Sequence, residues 1–193
     1  MKVGVLALQG DFEAHARALA RVGAEAIFVR TSADFAGIDA LVLPGGESTA
    51  MLHGIERDGL ESGLRAFAAK GRALLGTCAG AILLARELRG STQRSLGALD
   101  IAVERNAYGT QADSFVCRAE TDDSSSEFAG LECVLIRAPR IVRVGAGVTV
   151  HARVKGEPAL VSSGPVWAAT FHPEMTEDTR VQRAWLRSAA CRA

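Results

Sequence analysis

The sequence predicts an α/β protein built on a mixed, mostly parallel sheet flanked by helices, and three observations carry that reading. Short, nearly continuous apolar runs, such as Lys2 to Leu8 and Ala40-Leu41-Val42-Leu43, alternate with segments of helical length through the first half. Strands that read as unbroken apolar runs are those buried on both faces, as in a parallel sheet covered by helices. In the last third the strands are joined instead by the turns Gly156-Glu157-Pro158 and Gly164-Pro165, a pattern of antiparallel pairing.

The bulk properties bound the reading. At 193 residues the chain has the length of one ordinary domain, 1–193, with no linker or repeat to divide it. Lys plus Arg and Asp plus Glu both number 22, so the basic footprint of a nucleic-acid binder is missing. The four cysteines, Cys78, Cys117, Cys133 and Cys191, are widely spaced and form no Cys-x-x-Cys pair. That indicates neither a zinc site nor a disulfide framework, and a reducing cytosol is the expected home. The apolar start, Met1 to Leu8, is too brief for a signal peptide, and no run approaches a membrane span. A soluble cytoplasmic protein is expected.

Taken in order, Lys2 to Leu8 is a first strand, turned by Gln9-Gly10-Asp11 into a helix over Phe12 to Val22 that Gly23 ends. Ala26 to Val29 and Ala40 to Leu43 are the next strands. Ligands of parallel sheets bind beyond the carboxyl ends of the strands, and the third strand ends in Pro44-Gly45-Gly46-Glu47-Ser48-Thr49. Ser48 is placed as the N-cap of a helix carrying Met51, Leu52 and Ile55. The two glycines expose backbone amides able to hold an oxyanion, while Glu47 and Ser48 offer polar contacts to a substrate. A tight turn with a helix cap explains the same residues, Glu47 excepted.

A helix over Leu60 to Lys70 leads to the strand Ala73 to Leu75 and then to Gly76-Thr77-Cys78-Ala79-Gly80, after which Ala81 to Leu88 reads as helix. A cysteine between two glycines at a strand-to-helix corner has the layout of a nucleophile elbow, Gly-x-Cys-x-Gly replacing Gly-x-Ser-x-Gly. A helix N-terminus offers unpaired amides and partial positive charge, which favour the thiolate. Taken alone, the pattern fits a buried structural cysteine equally well. Farther on, Ile101 to Val103, Ser114 to Ala119 and Cys133 to Ile136 are short strands. Thr121 to Glu127 is a solvated acidic loop, and Arg105 to Gln111 is a polar segment with one aromatic. Val148 to Val154, Ala159 to Ser162 and Val166 to Phe171 follow as strands. Thr176 caps a closing helix with Val181, Trp185 and Ala189 on its apolar stripe.

An activated cysteine needs a base, and the base an orienting group. Of the four histidines, His15 and His53 fall on amphipathic helices as solvated residues, and His151 lies mid-strand. His172 differs. Pro173 forces extended backbone before it, and residues two apart in extended chain point the same way, so Glu174 can accept the imidazole N–H. Cys78 as nucleophile, His172 as base and Glu174 as orienter form a coherent acyl-transfer set.

These residues carry a family resemblance. Gly76-Thr77-Cys78-Ala79-Gly80 with Phe171-His172-Pro173-Glu174 resembles the class I, triad-type glutamine amidotransferases. Within them the chain is most similar to the glutaminase subunits of pyridoxal 5′-phosphate synthase. It shares Leu8-Gln9-Gly10, Pro44-Gly45-Gly46-Glu47-Ser48-Thr49, Arg105-Asn106-Ala107-Tyr108-Gly109 and Ile136-Arg137-Ala138-Pro139 with them. The resemblance implies a three-layer, flavodoxin-like fold and hydrolysis of L-glutamine to glutamate and ammonia through a glutamyl thioester on Cys78. It places the Gly46 and Ala79 amides at the oxyanion, and Glu47, Ser48, Arg105, Ile136 and Arg137 around the substrate. It implies a partner synthase subunit that receives the ammonia and awakens the glutaminase, in an assembly of twelve and twelve subunits. Pyridoxal phosphate is then a product of the assembly, and no cofactor or metal is expected in this chain.

Two positions depart from the family pattern. Thr110 replaces a common arginine, and Ser163 replaces the glutamine of a Gln-Gly pair before the last strand; neither touches the triad. Two alternatives stay open: the glutaminase of another amidotransferase, such as imidazole glycerol phosphate synthase, or a catalytically silent regulatory module on the same fold. The glycine-rich loop and the Arg105-Asn106-Ala107 segment weigh against the first, and the intact triad against the second.

Overall fold

The computed structural model describes residues 1–105 and 114–190. In chain order come β1 (Lys2–Leu6), α1 (Phe12–Ala20), β2 (Glu25–Val29), β3 (Ala40–Leu43), α2 (Ser48–Arg57) and α3 (Glu61–Ala69). Then follow β4 (Ala73–Thr77), α4 (Ala79–Leu84), β5 (Ala85–Arg89), β6 (Leu99–Glu104), β7 (Phe115–Arg118) and β8 (Glu132–Leu135). β9 (Arg140–Val144), β10 (Thr149–Val154), β11 (Glu157–Ser163), β12 (Val166–Ala169) and α5 (Arg180–Ala190) complete the described order. The central sheet runs β10-β11-β12-β4-β3-β1-β2. Its β12, β4, β3, β1 and β2 are mutually parallel, and β11 and β10 extend it through two antiparallel pairings, β12 with β11 and β11 with β10. The expected mixed, mostly parallel sheet is therefore present.

The apolar runs split between two cores. Val3, Val5, Ala40, Val42, Ala73 and Leu75 face α1 and α5, while Leu41, Leu43 and Leu74 face α2, α3 and α4. All four residues of β3 are buried because each face of the sheet has its own helical cover. Trp185 of α5, fully buried, anchors the first core, and its indole N–H donates to the Pro165 carbonyl at 3.3 Å.

Some boundaries differ from the sequence reading. The helix after the elbow ends at Leu84, where Ala85 turns extended, and Ala85–Arg89 is a strand. It pairs with β6 in a small sheet, β5-β6-β9, whose β9 was also unforeseen. An apolar run alone does not separate a buried helix from a strand. Here Arg86 pairs with Asp100 at 3.3 Å and Glu87 with Arg143 at 3.6 Å, contacts that lie across the small sheet. The closing helix begins at Arg180, so Thr176 is not its cap and Glu177 and Asp178 precede its first turn. Thr176 accepts from the Asp178 amide at 3.2 Å, and Asp178 in turn accepts from the Arg180 amide at 3.2 Å.

Candidate active site

Parallel strands end on one side of a sheet, so β12, β4, β3 and β1, neighbours in that order, deliver four loops to a single edge. Cys78 follows β4 directly and caps α4 with φ 47° and ψ −103°. Positive φ is costly for a residue with a Cβ and is held only by strong surroundings. They are visible: the Cys78 amide donates to the Ala169 carbonyl of β12 at 2.8 Å, and α4 starts without a spacer. The flanking glycines are required by contact. A Cβ on Gly80 would run into the Leu43 carbonyl oxygen, and one on Gly76 would meet the Gly80 carbonyl. The elbow expected from the sequence is thus formed, with Cys78 6% exposed.

His172 leaves β12 and faces this thiol. Gly45, after β3, lets them meet, since a Cβ there would collide with the His172 ring and lie 3.3 Å from Cys78 Cβ. The His172 amide donates to the Val134 carbonyl at 2.9 Å, which pins the loop to β8. Glu174 Oε1 lies 2.7 Å from His172 Nδ1, as the sequence reading required. The route is different. Pro173–Met175 forms a 3-10 turn, so the turn, not strand alternation, brings the carboxylate back to the ring. Burial disfavours charge on His172, but the Cys78 side chain and Glu174 outweigh it and raise the imidazole to about 10. Burial likewise opposes charge on Glu174, and contacts with His15 and then His172 reverse the balance and hold its carboxyl well below the usual range.

His15 is where the sequence reading was wrong. It is not solvated on its helix but 2% exposed, with Nε2 3.1 Å from Thr77 Oγ1 and 3.4 Å from Glu174 Oε1. The signal was available: His15 lies four residues before Leu19 and seven before Val22, on the apolar face of α1. His53 is exposed as expected. His151 stacks on Trp167 at 4.5 Å and bonds Ser162 Oγ at 2.7 Å, away from the triad.

A cleft of about 210 Å³ opens over Cys78 and His172. Gly46, Glu47, Ser48, Arg105, Ile136 and Arg137 all line it. Ala79, almost fully buried, and Glu174, behind His172, do not. The helix cap is Glu47 instead of Ser48: its carboxylate accepts from the Thr49 amide at 3.0 Å and the Ala50 amide at 2.7 Å. Slight burial works to raise the Glu47 carboxyl, but those amides and Arg105 keep it below its ordinary value. Arg105 pairs with Glu47 at 3.1 Å and also reaches Gln93 and Thr49 Oγ1. Ser48 Oγ donates to the same Gln93 oxygen at 3.1 Å. Arg137, at φ 44°, makes no side-chain hydrogen bond or ion pair among the described residues. Sequence reasoning left Gln9 out of the site; its Oε1 accepts from the Glu47 amide at 3.1 Å and braces the glycine loop from the end of β1. The segment Asn106 to Gly109 and the departure at Thr110 lie outside the described residues.

A cysteine elbow facing a His–Glu pair at the carboxyl edge of a mostly parallel sheet has the layout of the triad-type α/β proteins. The family model of the SNO glutamine amidotransferase family matches residues 5–190, and the chain belongs to that family. It is 48% identical to the pyridoxal 5′-phosphate synthase subunit PdxT of Deinococcus radiodurans, over all of both chains. The subunit of the same name from Thermus thermophilus is 50% identical, over 97% of each chain. A crystal structure of a glutamine amidotransferase superposes with a TM-score of 0.89 at 46% identity, covering 97% of this chain and 98% of that one. The PurLQS structure from Thermotoga maritima, 19% identical with a TM-score of 0.69 over 96% of this chain and 97% of that one, shares the fold.

Proposed function

We propose that this chain is the glutaminase subunit of a pyridoxal 5′-phosphate synthase, hydrolysing L-glutamine and passing ammonia to a partner synthase subunit. The observation that carries the reading is Cys78 held at a strained elbow against His172 and Glu174, beneath a cleft lined by the Gly46-Glu47-Ser48 loop. In this reading the Cys78 thiolate attacks the side-chain amide carbon of glutamine. The resulting oxyanion is received by the Gly46 and Ala79 amides. Protonated His172 gives its proton to the leaving nitrogen, ammonia departs, and a glutamyl thioester remains. His172, now neutral, takes a proton from water, which attacks the thioester and frees glutamate and the thiolate. Glu174 holds the Nδ1 proton throughout and stabilises the imidazolium.

Arg137 is suited to the substrate carboxylate, because a guanidinium binds it in bidentate fashion and its own has no hydrogen-bond or ion-pair partner among the described residues. Glu47, Ser48, Arg105 and the Ile136 backbone complete the cradle, in a domain spanning 1–193. The twelve-plus-twelve assembly and a cytoplasmic location belong to the same reading. No helix among the described residues is long and apolar enough to cross a membrane.

The experiment is ammonia release from L-glutamine by the chain alone and with a pyridoxal 5′-phosphate synthase partner subunit, with Cys78→Ala as control. Partner-dependent release lost in Cys78→Ala is expected. No release with a partner shown to be bound would overturn the reading.

A further inference from the structure

α1 brings to the triad a histidine that the steps above do not use. The Glu174 oxygen that faces His15 Nε2 at 3.4 Å is the one that lies 2.7 Å from His172 Nδ1. The other oxygen, Oε2, is buried with no hydrogen-bond partner among the described residues. All pairing of this buried anion is therefore concentrated on one oxygen shared by two imidazoles. An unpaired buried charge is strongly disfavoured, so the second donor matters.

Geometry also sets the His15 tautomer. A lone pair on Nε2 would face the carboxylate lone pairs, whereas an N–H there donates towards both Glu174 Oε1 and Thr77 Oγ1. Thr77, fully buried, immediately precedes the nucleophile. The helix that carries His15 is fixed at both ends. Asp11 accepts from the Ala14 amide at 2.8 Å; Arg21 donates to the Thr176 carbonyl at 3.1 Å and pairs with Glu177 at 2.6 Å. α1 is thus latched to the turn that bears Glu174.

We propose that His15 is a positioning residue of the triad, a second imidazole that fixes the Glu174 carboxylate against His172 and ties it to the elbow through Thr77. The rate prediction rests on the glutaminase reading above; the geometry does not. The titratable groups facing Glu174 are His15 from α1 and His172 from its own turn, with Cys78 beyond His172. β8 also packs on the turn and brings Cys133, a thiol that burial pushes up to about 12, and Glu132, which pairs with Arg118 at 3.5 Å. Among the described residues, His15 is therefore the group whose removal leaves Glu174 with a single donor.

The test compares His15→Leu with His15→Gln, whose side-chain amide can set an N–H near the histidine Nε2. Iodoacetamide labelling of Cys78 is followed by mass spectrometry of its peptide over about pH 5 to 9, and ammonia release is measured with the partner bound. In His15→Leu the labelling midpoint should rise by about one pH unit, a roughly tenfold slower reaction on the acid side. Its kcat should fall about tenfold or more with KM unchanged, and His15→Gln should recover most of both. A parental labelling profile in His15→Leu would overturn the proposal. So would equal losses in both variants with no shift of midpoint, the mark of packing alone. If the unmodified chain releases no ammonia with its partner, the glutaminase reading fails, yet the labelling midpoints still decide the role of His15.

Discussion

Replacing Glu174 by glutamine keeps the shape of the buried side chain and removes its charge. The carboxylate is 5% exposed and accepts from His172 Nδ1 at 2.7 Å, with His15 on the same oxygen. Hydrogen bonds to charged groups are worth about 1.5–3 kcal/mol and neutral ones about 0.5–1.5 kcal/mol. With the ionic partner of the imidazolium also lost, a penalty of about 2–3 kcal/mol is expected. That corresponds to a fall of about 30- to 160-fold in kcat/KM. The assay is ammonia release with the partner bound, at several pH values.

Stability should respond to pH with a definite sign. The His172 value is raised in the folded state, so its contribution is complete below the ordinary 6.5 and fades as pH climbs towards about 10. Glu174 is depressed, so its contribution is present above the ordinary 4.5 and is lost as pH falls through the folded-state value. The gap between parent and Glu174→Gln should be widest between those ordinary values and narrow as the solution turns basic. Thermal unfolding in mildly acid and in basic buffer measures it. An equal gap in both buffers, with activity within threefold of the parent, would refute the argument that the pair is ionic.

Three other outcomes are expected. Gly80→Ala should cost about 1–3 kcal/mol through overlap with the Leu43 carbonyl, despite the gain in helix propensity, and should abolish ammonia release by moving the elbow. Melting and activity are compared, and an active variant of parental stability counts against the close contact. Trp185→Ala empties a fully buried site in the core between the sheet and α5 and should cost about 3–5 kcal/mol, read from urea unfolding. A cost near zero would show that α5 is not anchored there. Arg137→Gln should raise KM for glutamine by roughly 10- to 150-fold, the worth of a charge-assisted bond, with kcat little changed; an unchanged KM would move the substrate carboxylate elsewhere.

Much of this was legible because the informative residues sit where the backbone itself turns. Gly76, Cys78 and Gly80 announce a corner, and Pro173 marks the chain after His172. Sequence periodicity places such features well, since their cause is local. The burial of His15 was readable from its spacing to Leu19 and Val22, but its role was not, because its partners, Thr77 and Glu174, are 62 and 159 positions away in sequence and meet it only when α1 packs on the sheet. The strand Ala85–Arg89 was missed for a related reason. The apolar run Ala81 to Leu84 leads without a break signal into Ala85-Arg86-Glu87-Leu88-Arg89, residues that helix also accommodates, and the choice of strand is made by pairing with β6, which no local signal reveals. At Glu47 the residue type was noticed but its job was not. Both its capping of α2 and its pairing with Arg105 depend on a loop geometry that the glycines allow and do not specify.

The order of the strands explains why so few residues suffice. β12, β4, β3 and β1 are parallel neighbours, so His172, Cys78, the Gly45-Gly46 loop and Gln9 stand in a row at one edge of the sheet. Each is fixed by the strand beneath it, and the cross-bonds run along the row: the Cys78 amide to Ala169, and Gln9 to the Glu47 amide. His15 continues the same logic from the helical layer, reaching the row from beneath through Thr77 and Glu174. On the far rim, Glu47, Arg105, Gln93 and Ser48 are already bonded to one another. A substrate entering there must exchange existing bonds, whereas at Arg137 it meets a cation with none among the described residues. Among the described residues the cleft thus joins a row of strand-held groups to one uncommitted charge, and on the proposed glutaminase reading that charge is where recognition of the glutamine carboxylate is expected to be concentrated.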